Sequence, residues 1–115
     1  MTTMTYVDAQ EIGGPLPSTG LRPGADAGDP ETSQLRIATE SGTRVGIWEC
    51  TPGGWEIVDR PEAEACYILS GEAVITDHDA SAKYTVTAGD VVVFPKGFNG
   101  RWEVTRTIRK FYAVY

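Results

Sequence analysis

The chain has few of the side chains from which most enzyme centres are built. Its 115 residues include one histidine, His78, and two cysteines, Cys50 and Cys66. Three soft donors this far apart do not make a closed metal site, which takes about four N or S ligands. Two cysteines in such a chain read instead as small buried hydrophobes. His78 stands in the polar stretch Asp77-His78-Asp79 and reads as an exposed residue at a hairpin tip. No apolar run reaches the roughly 18–20 residues that span a membrane. The first residues lack the basic and apolar regions of a secretory leader, so the expectation is a cytoplasmic protein with no membrane partner. Basic clusters are missing too: 10 Lys and Arg face 16 Asp and Glu, for a net charge of -6. Without cations to set against phosphates, nucleic acid is excluded as a partner. The acidity is read as a solubility feature. No segment shows a 3.6-residue apolar period, which excludes a helical bundle.

What is present divides into two parts. Residues 1–34 hold Pro15, Pro17, Pro23 and Pro30, four of the seven prolines, and five of the 13 glycines. Such a stretch cannot sustain a long helix or a central strand, and is expected to be an extended arm. Residues 35–115 read as one domain of short strands broken by turn residues. Val, Ile, Thr, Tyr, Phe and Trp dominate the runs, as a pleated half-buried surface prefers. Turns recur at Ser41-Gly42-Thr43, Pro52-Gly53-Gly54, Ser70-Gly71, Asp77-His78-Asp79, Ala88-Gly89-Asp90 and Pro95-Lys96-Gly97. That rhythm belongs to an antiparallel sandwich or barrel. A final hairpin is expected from Arg101–Val104 and Ile108–Tyr115, turning around Thr105-Arg106-Thr107.

Two spacings are specific. Glu64 is followed by six residues and Gly71, and Gly89 by five residues, Pro95, Lys96 and Gly97. Together, and in this order, they resemble the two motifs of the cupin superfamily. The resemblance implies an all-β fold, the cupin-type antiparallel double-stranded β-helix or jelly-roll barrel. Within the superfamily the chain is similar to small single-domain cupins related to (S)-ureidoglycine aminohydrolase and to accessory cupins of ethanolamine utilisation. The residues carrying that likeness are Gly46–Gly53, Cys66–Gly71, Pro95–Phe98 with Trp102-Glu103, and Arg109–Tyr112. The family's metal is usually held by a His-x-His before the Glu and a later His. Those slots hold Val58 and Arg60, or Ile57 and Asp59, and then Gly100. Of the usual ligands only Glu64 remains, so no metal and no cofactor are expected.

In a barrel of this kind ligands bind at the open mouth, among inward side chains. Alternation puts Glu64, Cys66 and Ile68 on one face and Ala65, Tyr67 and Leu69 on the other. If Glu64 points inward as in the family, Cys66 does too, with Trp48, Trp102 and Lys110 as companions from neighbouring strands. Trp48, Glu64, Cys66, Trp102 and Lys110 are therefore the candidate pocket. It would suit a small ligand with a flat or apolar part and a polar head. A buried Glu64 without a metal needs a partner, for which Lys110 and Arg101 are the candidates. The cluster then reads equally as structural, and the tryptophans as core. Cys66 has no identifiable base beside it to make it a nucleophile. The expected function is metal-independent binding of a small organic molecule. The alternative is an enzyme, either a divergent metalloenzyme or an isomerase or lyase using Glu64 as base. A homodimer is expected, with the N-terminal arm crossing to the partner.

Overall fold

The computed structural model describes residues 2–115. One short helix, α1 (Ala9–Gly13), precedes the strands β1 (Ser18–Leu21), β2 (Ala25–Ala27), β3 (Glu31–Ile37), β4 (Arg44–Cys50) and β5 (Gly53–Ile57). The strands β6 (Glu64–Asp77), β7 (Ala82–Thr87), β8 (Val91–Phe94) and β9 (Gly100–Val114) complete the chain. All pairings are antiparallel. The fold is the all-β cupin barrel expected from the motifs.

Its frame is a long ribbon of β6 against β9, running from Glu64↔Val114 at one end to Asp77↔Gly100 at the other. One half of the ribbon is widened by β8 beside β6 and by β4, β3 and β1 beside β9. The other half is widened by β7 beside β6 and by β5 and β2 beside β9. The ribbon bends between them, so two sheets grow from one pair of strands and close over a shared core. The inner faces carry the apolar core, with Glu64 and Lys110 as buried charged exceptions, and side chains alternate to the outer faces as a period-2 pleat requires. On β6 and β8 the inward residues Cys66, Ile68 and Phe94 are buried, while Tyr67, Val91 and Val93 face out.

The bend is a break in that period. Buried residues of β6 are Glu64, Cys66 and Ile68 before it, then Ala73 and Ile75 after it. The side chains thus change parity, because from Ile68↔Lys110 to Ala73↔Val104 β6 advances five residues while β9 advances six. The register between β6 and β9 shifts from Ile68 to Ala73, around Gly71. On β9 the parity holds throughout, with Trp102, Val104, Ile108 and Tyr112 all buried. The polar stretch Thr105-Arg106-Thr107, expected as a hairpin turn, instead continues β9 as a single strand. It has no tight-turn residue of its own, and it lies where β9 spends one residue more than β6 across the bend.

Residues 1–34, expected as an extended arm, carry α1, β1, β2 and the start of β3. β1 and β2 are short outermost strands, pairing only with β3 and β5, the positions where proline-flanked segments are tolerated. Two clamps hold the segment down. Arg109 donates from Nη1 to the carbonyls of Ile12 and Gly14 at 2.7 and 2.8 Å. Arg101 grips Asp26 with both nitrogens at 2.7 and 2.8 Å. Arg101 is therefore tied to the N-terminal segment and is not the partner of Glu64.

Candidate functional site

The inner face of the first sheet is a grid whose rows follow the strand register. One row is Gln34, Trp48, Lys110 and Ile68, and the next is Arg36, Gly46, Tyr112 and Cys66. Glu64 stands in the following row, beside Val114 and Phe94. Gly46 lets Tyr112 lie over its backbone: a methyl group there would lie 2.5 Å from the Leu35 carbonyl and 2.6 Å from the Tyr112 hydroxyl. The Tyr112 hydroxyl accepts a hydrogen bond from Gln34 Nε2.

At the centre Lys110 Nζ lies 2.6 Å from Glu64 Oε2, with both residues 7% exposed. Arg60 Nη2 donates to the other oxygen, Oε1, at 2.8 Å. Burial acts to raise the Glu64 carboxyl's pKa, but Lys110, by charge and hydrogen bond, and then Arg60 outweigh it and leave it below the ordinary value. Arg60 comes from the loop after β5, which is laced to the loop before β9. Its amide donates to the Phe98 carbonyl at 3.0 Å, and its carbonyl accepts from Gly97 at 2.7 Å. Its guanidinium carbon sits 5.4 Å from the Phe94 ring centre.

Three indoles surround the pair. Trp48, Trp55 and Trp102 have ring centres 6.0 to 6.3 Å apart. Lys110 Nζ lies 4.6 Å from the centre of Trp48 and 5.0 Å from that of Trp102. A cation shielded from water over two indole faces is held by each quadrupole. Arg22 makes the same contact with Trp55, at 4.8 Å. This arrangement opens into a cavity of about 740 Å³ at the barrel mouth, within the range of small-molecule sites.

Of the residues chosen from sequence, Trp48, Glu64, Trp102 and Lys110 all line that cavity. Cys66 points the same way but lies behind it, 2% exposed, its thiol donating to the Val92 carbonyl at 3.6 Å. Burial, reinforced by Glu64 and opposed by Lys110, pushes the Cys66 thiol up to about 11. Cys50, fully buried, is likewise pushed up to about 11 by burial, against the opposing charges of Arg22 and Lys110. Neither is a thiolate at neutral pH, so neither is an activated nucleophile. Iodoacetamide should label neither cysteine in the folded protein at neutral pH and both in denaturant, read by mass spectrometry. Rapid native labelling of Cys66 would contradict this placement.

Sequence reasoning left out Arg60, Trp55, Gln34 and Tyr112. The signal for Arg60 was a basic residue four before Glu64, in a slot where the family keeps a histidine. His78 is half-exposed at the β6–β7 turn, with Nε2 3.2 Å from Glu56 Oε1, outside the cavity lining. A divalent metal does not fit the residues present. Glu64 already faces two cations, and among the described residues no three His, Cys, Asp or Glu side chains gather to hold an ion.

No curated protein matches the chain. Among solved structures, a protein of unknown function in the DUF861 family from Pseudomonas syringae pv. tomato is 25% identical, with a TM-score of 0.78. That match covers 90% of this chain and 46% of the other, so the chain spans less than half the length of that relative. An ethanolamine-utilisation protein EutQ from Salmonella typhimurium is 20% identical, with a TM-score of 0.65 over 84% of this chain and 76% of its own. A DUF861 protein from Thermotoga maritima is 38% identical over 60% of this chain and 76% of its own, with a TM-score of 0.55. The family model described as the EutQ-like cupin domain matches residues 38–112. Sequence motifs, barrel and family match agree: the chain belongs to the EutQ-like cupin domain family.

Proposed function

We propose that the barrel mouth binds a small organic molecule with a flat apolar part and a polar head, without a resident metal. One observation carries this reading: half-buried Trp48 and the Lys110–Glu64–Arg60 cluster line one open cavity, with Trp55 and Trp102 buried in the core behind Trp48. Flat groups stack on indoles, and polar heads exchange hydrogen bonds with a preformed charged cluster. The enzymatic alternative, with Glu64 as general base, has the weaker geometry. Both oxygens of that carboxylate already accept from cations, and its pKa is held low, which makes it a poor proton acceptor.

The test is a thermal-shift and tryptophan-fluorescence screen of small heteroaromatic compounds on protein purified without a metal-affinity step. Ligands should raise the melting temperature and quench the indoles, and chelator should change neither. Trp48 is only half-buried, so Trp48→Leu should fold and bind about tenfold more weakly, as the loss of one aromatic contact implies. Metal retained near one ion per chain, or binding indifferent to Trp48, would overturn the proposal.

A further inference from the structure

The mouth is electrostatically unlike the rest of the molecule. The chain as a whole carries a net charge of -6. Yet five cationic side chains line the cavity, Arg22, Arg36, Arg44, Arg60 and Lys110, against three carboxylates, Glu56, Glu62 and Glu64. The carboxylates are all engaged. Glu62 takes Arg44 at 2.6 Å, Glu56 meets His78 and Arg101, and Glu64 is shared by Arg60 and Lys110. Two cations are left over: neither Arg22 nor Arg36 makes an ion pair among the described residues. In addition, Arg60 Nε is buried and has no hydrogen-bond partner.

Resting on the binding reading above, we infer that the ligand is an organic anion: a planar carboxylic acid, bound as its carboxylate. The flat part lies against Trp48, the one indole of the three that is not buried, and the carboxylate meets the surplus guanidinium charge at the rim. Arg36 is placed for this. It shares its row with Gly46 and Tyr112 and stands exposed at the edge of the cavity, with no carboxylate paired to it. Guanidinium forks match a carboxylate with two parallel hydrogen bonds, and low-dielectric walls strengthen them. Arg22, its guanidinium carbon 4.8 Å from the Trp55 ring centre, brings a second guanidinium to the same cavity.

The experiment compares benzoate, nicotinate and indole-3-acetate with their neutral amides, by fluorescence titration at low and high sodium chloride. Each acid should bind at least tenfold more tightly than its amide and should weaken as salt rises. Arg36→Gln and Arg22→Gln should each weaken acid binding about tenfold and weaken amide binding by much less. Amides binding as tightly as acids would overturn the anion assignment and leave the pocket reading standing. Acid binding unaffected by either arginine variant would also overturn it. If neither acids nor amides bind, the anion assignment falls together with the binding reading beneath it.

Discussion

Glu64→Gln should lower stability by about 3 kcal/mol, because removing one partner of a buried ion pair strands the other. The stranded groups here are two. Lys110 is packed among Trp48 and Trp102 with Glu64 as its counter-charge, and Arg60 loses its hydrogen-bond acceptor. A neutral amide keeps the shape but balances neither charge. In a domain of this size the loss is a fall of roughly 12 °C in melting temperature. The pH dependence fixes the sign. The folded carboxyl titrates below its unfolded value, so its contribution is complete above the unfolded pKa of about 4.3. It disappears as pH falls through the lower folded pKa. The wild type should therefore lose stability in that acid window, and Glu64→Gln should show a flatter profile there. Adding Lys110→Met to Glu64→Gln should recover part of the loss, since two apolar or neutral groups replace a charged pair at little penalty. Urea denaturation of the four proteins in the cycle measures this. Equal stability of Glu64→Gln and wild type would show that the cluster is not held by charge.

That cluster was half legible in the sequence. The spacing from Glu64 to Gly71 and the motif from Gly89 to Gly97 identified the barrel. Strand alternation was enough to put Glu64, Cys66 and Ile68 on one inward face, where they are buried. The need of a buried carboxylate for a cation pointed to Lys110 or Arg101, and register alone separates them. Lys110 pairs across the sheet with Ile68 and reaches Glu64, whereas Arg101 faces Asp26. Arg60 was visible only as the occupant of a slot lacking its histidine. Its role depends on hydrogen bonds between two loops distant in sequence, to Phe98 and Gly97, which no local pattern encodes. Trp55, Gln34 and Tyr112 were missed for a related reason. Each lies on a different strand, and their meeting depends on which strands β9 joins. Strands β1 and β2 were hidden by proline and glycine, because short edge strands need little β-propensity once a neighbour supplies the template.

Gly71→Ala should be among the most damaging single changes in the chain, and Gly89→Ala a mild one. Both glycines adopt left-handed backbone, with φ of 87° and 94°. Each alanine therefore carries a conformational penalty of about 1 kcal/mol. Their surroundings differ. A Cβ at Gly89 would meet nothing within 4 Å, whereas one at Gly71 would sit 2.0 Å from the Thr107 carbonyl oxygen and 2.6 Å from Ile108 Cα. Backbone on the opposite strand cannot rotate away as a side chain could. Relief requires β6 and β9 to part where the ribbon bends, which brings the total for Gly71 to about 3 kcal/mol or more. The consequence reaches the site, because the parity change at this bend lets Glu64, Cys66 and Ile68 share a core with Ala73 and Ile75. Urea midpoints for the two variants give the comparison directly, provided their m-values stay at the wild-type slope. A loss at Gly71 several times that at Gly89 is the expected result. Equal losses would place the effect in backbone conformation alone, and would remove the close approach to Thr107 as the feature that registers one sheet against the other.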